Sequence, residues 1–167
     1  MSTVIPWEDK EKQNYICMNE IVDNDVGKGL RSIFKQEWNN RYGTWDDTKA
    51  SGQKLFDNEK TRSRQNKNVY QKAFQHGDTN LWDCSVLFDA ILYSNSIGLA
   101  SLNPTVKSEV NNLREIRNKI KHKAEGKLTN TEFQNMTTRV KNAFVPLGIS
   151  VNEIEQIKLE KNRYNYK

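Results

Sequence analysis

From Tyr15 onward, apolar side chains fall at Tyr15, Met18, Val22, Val26, Leu30, Ile33 and Trp38, mostly three or four residues apart. This spacing returns to one helical face at every turn and predicts a long first helix. Gly27 and Gly29 interrupt it. Each weakens a helix by roughly 1 kcal/mol relative to alanine, so a kink or break is expected within 25–29. The stretch 41–80 is rich in Gly, Asn, Asp, Lys and Gln, with apolar groups only at Leu55/Phe56 and Val69/Tyr70/Phe74. It reads as a long basic loop between the first and central helices, with short helices near 53–59 and 68–76.

The most apolar segment follows: Leu81, Trp82, Cys84, Val86, Leu87, Phe88, Ile91, Leu92 and Ile97, preceded by Asp78-Thr79-Asn80 and closed by Gly98. It predicts a central buried helix. Asn103-Pro104 pairs an N-cap with proline at the first helical position, opening a helix with the stripe Val106, Val110, Leu113, Ile116 and Ile120, ended by Gly126. Thr129/Glu132 and Ser150/Glu153 have capping-box spacing. The first opens a helix through Phe133, Met136, Val140 and Phe144, ended by Pro146 and Gly148, and the second one through Ile154 and Ile157. No segment has strand period. The expectation is an all-α fold, an antiparallel helical bundle of about five main helices.

At 167 residues the chain is expected to form one domain over 1–167, with its core at about 10–160 and a polar, basic insertion at 41–79. Two cysteines, Cys17 and Cys84, are too few for a disulfide framework and imply a reducing compartment. Charged residues make up 28 % of the chain, and mean hydropathy is -0.88. No apolar run reaches the length of a membrane span, and Met1 to Lys12 has no apolar signal segment, so a cytoplasmic protein without a membrane partner is expected. Net charge is +5. It is concentrated in residues 60–127, where 12 basic side chains face 6 acidic ones. Lys60, Arg62, Arg64, Lys67 and Lys72 form one cluster, and Arg114, Arg117, Lys119, Lys121, Lys123 and Lys127 another. Such clusters attract a polyanion such as RNA, although a solvated helix face has the same composition.

His76 and His122 are the only histidines. His122 has the richer surroundings, because Asn118 lies four residues before it on the same helical face, and Arg117 can close the remaining angle with its long side chain. An arginine fork, a carboxamide and an imidazole around one phosphate suit RNA cleavage by 2′-hydroxyl attack. The imidazole moves a proton and the guanidinium holds the developing charge, with no metal or other cofactor required. The alternative is a surface helix end where His122 caps carbonyls and Arg117 pairs with a carboxylate such as Glu115. One histidine cannot act as base and acid at once, which argues for a symmetric homodimer.

The motif Arg117-Asn118-Lys119-Ile120-Lys121-His122 resembles that of the HEPN superfamily. Four further stretches look like the HEPN branch named after an animal RNA-binding RING ubiquitin ligase. They are Asp25-Val26-Gly27-Lys28-Gly29-Leu30-Arg31-Ser32-Ile33-Phe34, Trp82-Asp83-Cys84-Ser85-Val86-Leu87-Phe88, Leu113-Arg114, and Leu128-Thr129 through Phe133 to Leu147-Gly148. The resemblance covers about residues 15–150. It implies a helical bundle that often dimerises and, in some members, a metal-independent endoribonuclease. Arg117, Asn118 and His122 match the family's active-site positions, and Asp83 is a supporting one, although an acidic residue there equally suits a helix start. Ala124 stands where toxin-type members carry tyrosine, and Tyr93-Ser94-Asn95 stands where a companion arginine is often found.

Two functions follow as expectations. One is cleavage or binding of single-stranded RNA by Arg117, Asn118 and His122, with Arg114, Lys119, Lys121, Lys123, Lys60, Arg62, Arg64 and Lys67 contacting phosphates. The other is a catalytically inactive interaction or oligomerisation module of a larger signalling or immune-type protein, recruiting protein partners.

Overall fold

A computed structural model of the chain describes residues 9–60 and 67–165. The described residues are helical, with no strand among them: α1 (Lys10–Glu20), a π-helical segment (Ile21–Val26), α2 (Gly27–Tyr42), α3 (Lys49–Asn58), α4 (Lys67–His76), a 3-10 turn (Thr79–Leu81), α5 (Cys84–Leu92), α6 (Gly98–Ser101), α7 (Pro104–Lys121), α8 (Asn130–Leu147) and α9 (Asn152–Asn165). The fold is all-α. Contacts gather into two compact units, Gly27–Val110 and the combination of Met1–Val26 with Asn111–Lys167.

The continuous unit is built on aromatic rings. Phe34 and Trp38 of α2 each meet Trp45 edge-on, with centroids 4.8 and 4.9 Å apart, and Trp82 lies 5.0 Å from Phe34 and 5.5 Å from Phe74. Such pairs contribute about 0.5–1.5 kcal/mol beyond the area they bury. Two of the three indole N–H groups donate within this unit: Trp82 to Ala73 O at 2.9 Å and Trp45 to Asp47 Oδ1 at 3.1 Å. Asp47 holds the corner before α3 at a φ of 58°. Its carboxylate also accepts from Lys35 Nζ at 2.6 Å, Thr79 N at 3.0 Å and Thr79 Oγ1 at 2.6 Å.

Within the described part of 41–80 the chain forms the two short helices expected near 53–59 and 68–76 rather than one long loop. α3 and α4 fill much of it, because two glycines let their backbones touch. A Cβ on Gly52 would run into Phe74 O and lie 2.6 Å from Gln75 O, and one on Gly77, whose φ is +77°, would run into Thr48 O. Leu55 and Phe74 are fully buried beside this contact. Arg62 and Arg64 fall outside the described residues, as does the side chain of Lys67.

The central helix is shorter than its apolar run predicts. Asp83, not the Asp78-Thr79-Asn80 group, caps it, through Val86 N at 3.0 Å, while Asp78 caps the 3-10 turn and Leu81 is 74 % exposed. It stops at Leu92 because polar groups take over the backbone. Ser94 Oγ donates to Ala90 O and accepts from Ile97 N, and the buried Glu59 carboxylate accepts Asn95 N at 3.1 and 3.0 Å. Gly98 instead opens α6, packed against the Leu92 carbonyl.

In the other unit α1 packs on α8 and α9. Asp9 caps α1 through Lys12 N at 3.0 Å. The expected break in the first helical run is the π segment, one turn earlier than the glycines, and it turns Ile21, Val22, Asp25 and Val26 inward. α7 ends at Lys121, before Gly126, which occupies the following turn at a φ of +64°. That turn is tied to α1: Leu128 N donates to Glu11 O at 3.0 Å, and Asn14 Nδ2 donates to Leu128 O at 3.0 Å and Asn130 Oδ1 at 2.9 Å. Thr129 and Glu132 form the reciprocal capping box of α8. Pro146 lies inside the last turn of α8, and Gly148, at a φ of +72°, ends the helix.

Candidate functional site

The last turns of α7 present Glu115, Asn118, Lys119 and His122 at intervals of three, four and seven, which brings them to one face. The first turns of α8 present Glu132, Asn135, Met136 and Arg139 at the same intervals. With Lys123, these side chains line an open groove of about 800 Å³. Ion pairs close its two ends: Arg139 Nη2 lies 3.4 Å from Glu115 Oε2, and Lys123 Nζ pairs with Glu132 Oε2. The early residue of α7 meets the late residue of α8 and the reverse, so the two stripes face each other antiparallel.

Between the ion pairs lie Asn118, Lys119, His122, Asn135 and Met136. Met136 is buried, giving the groove an apolar floor, while Lys119 and His122 are exposed. Among the described residues neither the Lys119 nor the His122 side chain makes a hydrogen bond or ion pair, so both are open to a ligand. His122 sits one residue past α7, its backbone N–H still donating to Asn118 O at 3.1 Å. Arg117 does not line the groove. Its Nη1 donates to Asn118 Oδ1 at 3.1 Å, so the guanidinium connects to the groove through Asn118.

The remaining expected site residues are placed differently. Asp83 belongs to the Gly27–Val110 unit, where its carboxylate is spent capping α5. Lys121 turns away from the groove to Asn19 Oδ1 and Asp23 Oδ1, each at 3.0 Å. Lys123 is held by Glu132 and Lys60 by Asp57. Arg114 is half-buried and does not line the groove. Lys119 is thus the α7 lysine that faces the groove uncompensated among the described residues.

Sequence reasoning missed the α8 wall, Glu132, Asn135, Met136 and Arg139, together with Glu115. The signal was the matching polar stripe on α8, whose glutamate was read only as a cap. That glutamate serves both purposes: the Lys123 ammonium and the Thr129 backbone N–H hold its carboxyl below the usual range. The thiols offer no nucleophile. Both are buried, and burial pushes Cys17 up to about 12. Among the described residues no three His, Cys, Asp or Glu side chains gather around a point that could hold a metal ion, and no helix is long and apolar enough to cross a membrane.

No protein-family model matches this chain, and no curated protein or solved structure does so either.

Proposed function

We propose that this is an RNA-directed domain of the HEPN type, whose α7–α8 groove cleaves single-stranded RNA without a metal. The observation that carries the reading is the placing of Asn118 and His122 in one open groove, with Arg117 donating to Asn118 Oδ1. A phosphodiester in the groove would meet the Lys119 ammonium and the His122 imidazole. His122 transfers the proton, either from the 2′-hydroxyl as it attacks phosphorus or to the departing 5′-oxygen. Lys119 holds the charge that develops on the phosphate, and Asn118 orients it through its carboxamide N–H, with Arg117 acting through Asn118 Oδ1.

The finer features of the fold belong to the same reading. These are an antiparallel bundle, a basic 41–79 insertion contributing Lys60, Arg62, Arg64 and Lys67 to phosphate contacts, and a homodimer that supplies the second imidazole. A cytoplasmic setting would put the site among single-stranded RNA. Incubation of such RNA with the chain in excess EDTA should yield 2′,3′-cyclic phosphate ends. His122→Ala should slow cleavage by about 10²-fold or more, the usual contribution of a positioned proton-transfer group. Intact RNA at high wild-type concentration would reject the reading.

A second reading is favoured by Glu115 and Glu132, which pair with Arg139 and Lys123 and so withdraw two cations of the groove from a phosphodiester, and by Ile16 and Val145, 63 % and 70 % exposed. It is a catalytically inactive HEPN-like module that recruits a protein in a larger signalling or immune-type chain. Here His122→Ala leaves assembly unchanged and Val145→Asp abolishes it.

A further inference from the structure

A second groove, of about 340 Å³, lies entirely within the Gly27–Val110 unit, between α3 and α4, and is lined by Lys49, Gln53, Lys72, Gln75 and His76. Lys49 and Gln53 stand four apart on α3, while Lys72, Gln75 and His76 stand three and four apart on α4, so each set shares a face. The Gly52–Gly77 backbone contact draws these two faces together.

The groove has a one-sided charge. Among the described residues its lining contains no carboxylate. The carboxylates of the flanking segments have partners: Asp46 is engaged by Thr48 and Ser51, Asp47 by Lys35 and Thr79, and Asp78 by Asn80, while Asp57, which meets the groove wall through Gln53, is paired with Lys60. Among the described residues Lys49 and Lys72 make no ion pair.

The carboxamides are also polarised. Gln75 Nε2 donates to Gln53 Oε1 at 3.3 Å, and Gln53 Nε2 donates to Asp57 Oδ1 at 3.0 Å. The Gln53 acceptor is occupied, and the second N–H of Gln75 is left to donate. Two ammoniums, a carboxamide N–H and an imidazole N–H therefore converge without a fixed counter-charge. Three or more donors suit a tetrahedral oxyanion better than a planar carboxylate, because each phosphate oxygen can take its own charge-assisted bond. The volume exceeds that of a bare phosphate and falls at the lower end of small-molecule sites.

We propose that the α3–α4 groove binds a small phosphate monoester, its phosphate held by Lys49, Lys72 and His76 and oriented by Gln75. The site is separate from the α7–α8 groove and does not depend on RNA cleavage there.

The test is a titration of the full 15N-labelled chain at constant ionic strength with inorganic phosphate, with glycerol 3-phosphate and with acetate. Both phosphates should shift the Gln53 and Gln75 carboxamide and His76 ring signals saturably at millimolar concentration, whereas acetate should not. Lys49→Gln and Lys72→Gln are exposed substitutions, and each should weaken binding about tenfold, as loss of one charge-assisted contact does. His122→Ala should bind as wild type. Equal response to acetate, unsaturable shifts, unchanged binding in Lys49→Gln/Lys72→Gln, or binding only to oligonucleotides and not to the monoester would each overturn the proposal.

Discussion

Asp47 carries more contacts than any other single carboxylate described above, and it does so from a backbone conformation that few non-glycine residues adopt. Burial opposes its ionisation, but hydrogen bonds from Lys35 and Thr79 outweigh that and hold its pKa at about 2, against an ordinary value of 3.8. A depressed carboxyl stabilises the fold above its unfolded value, and that contribution disappears as pH falls through the folded one. Asp47→Asn keeps the shape and tolerates the positive φ but lacks the charge. The variant should therefore be less stable than wild type at pH 7, and the gap in urea midpoint should close between pH 3.8 and about 2. Asp46, Asp57, Glu132 and Glu155 are lowered in the same direction in both proteins and cancel in the difference. Nothing local marked Asp47 as this hub, since its partners Lys35 and Thr79 lie 12 and 32 residues away. His122 was legible because its partner Asn118 is one helical turn away.

At the scale of elements, two glycines in helices make opposite demands. A Cβ on Gly27 would meet only Cys84 Sγ, at 3.8 Å, an ordinary contact, so Gly27→Ala should raise stability by about 0.5–1 kcal/mol through lost unfolded-state freedom. Gly52→Ala should instead force α3 off α4 and cost about 1–3 kcal/mol, in line with overpacking elsewhere. Thermal unfolding of the pair checks both signs. In 41–80 the small apolar groups Leu55/Phe56 and Val69/Tyr70/Phe74 marked two short helices, but not the contact that joins them, because touching backbones leave no apolar period to read. Helices with a long stripe or a capping box, α7 and α8, showed in the pattern. α5 did not show where it stops, because Ser94, a polar residue within the apolar run, and Glu59, far outside it, terminate it by hydrogen bonds. The α8 wall of the groove was hidden for a related reason, since a polar stripe resembles any solvated face until a second stripe is found opposite.

For the molecule as a whole, the proposed cleavage requires two proton carriers where each chain places one in the groove. If two copies share a site, adding excess His122→Ala to wild type should lower the activity per wild-type chain, because each mixed pair holds a single imidazole. Activity per wild-type chain that stays constant on mixing would restrict the groove to single chains. Charge at this scale was legible as a basic middle third, but pairing redistributes it: Lys60, Lys121 and Lys123 are neutralised by neighbours, and uncompensated charge remains at Lys119, Lys49 and Lys72.

The clasp of Asn14 on Leu128 and Asn130 spans 114 and 116 residues. During synthesis α1 leaves the ribosome first, yet the groups it holds arrive only after the whole Gly27–Val110 stretch has been made. That stretch is continuous and can fold on emergence, whereas α1 must wait, with Met18 and Ile21 uncovered, for the C-terminal third. Nascent chains arrested before residue 130 should thus present Met18 and Ile21 to chaperones, and release past that length should withdraw them.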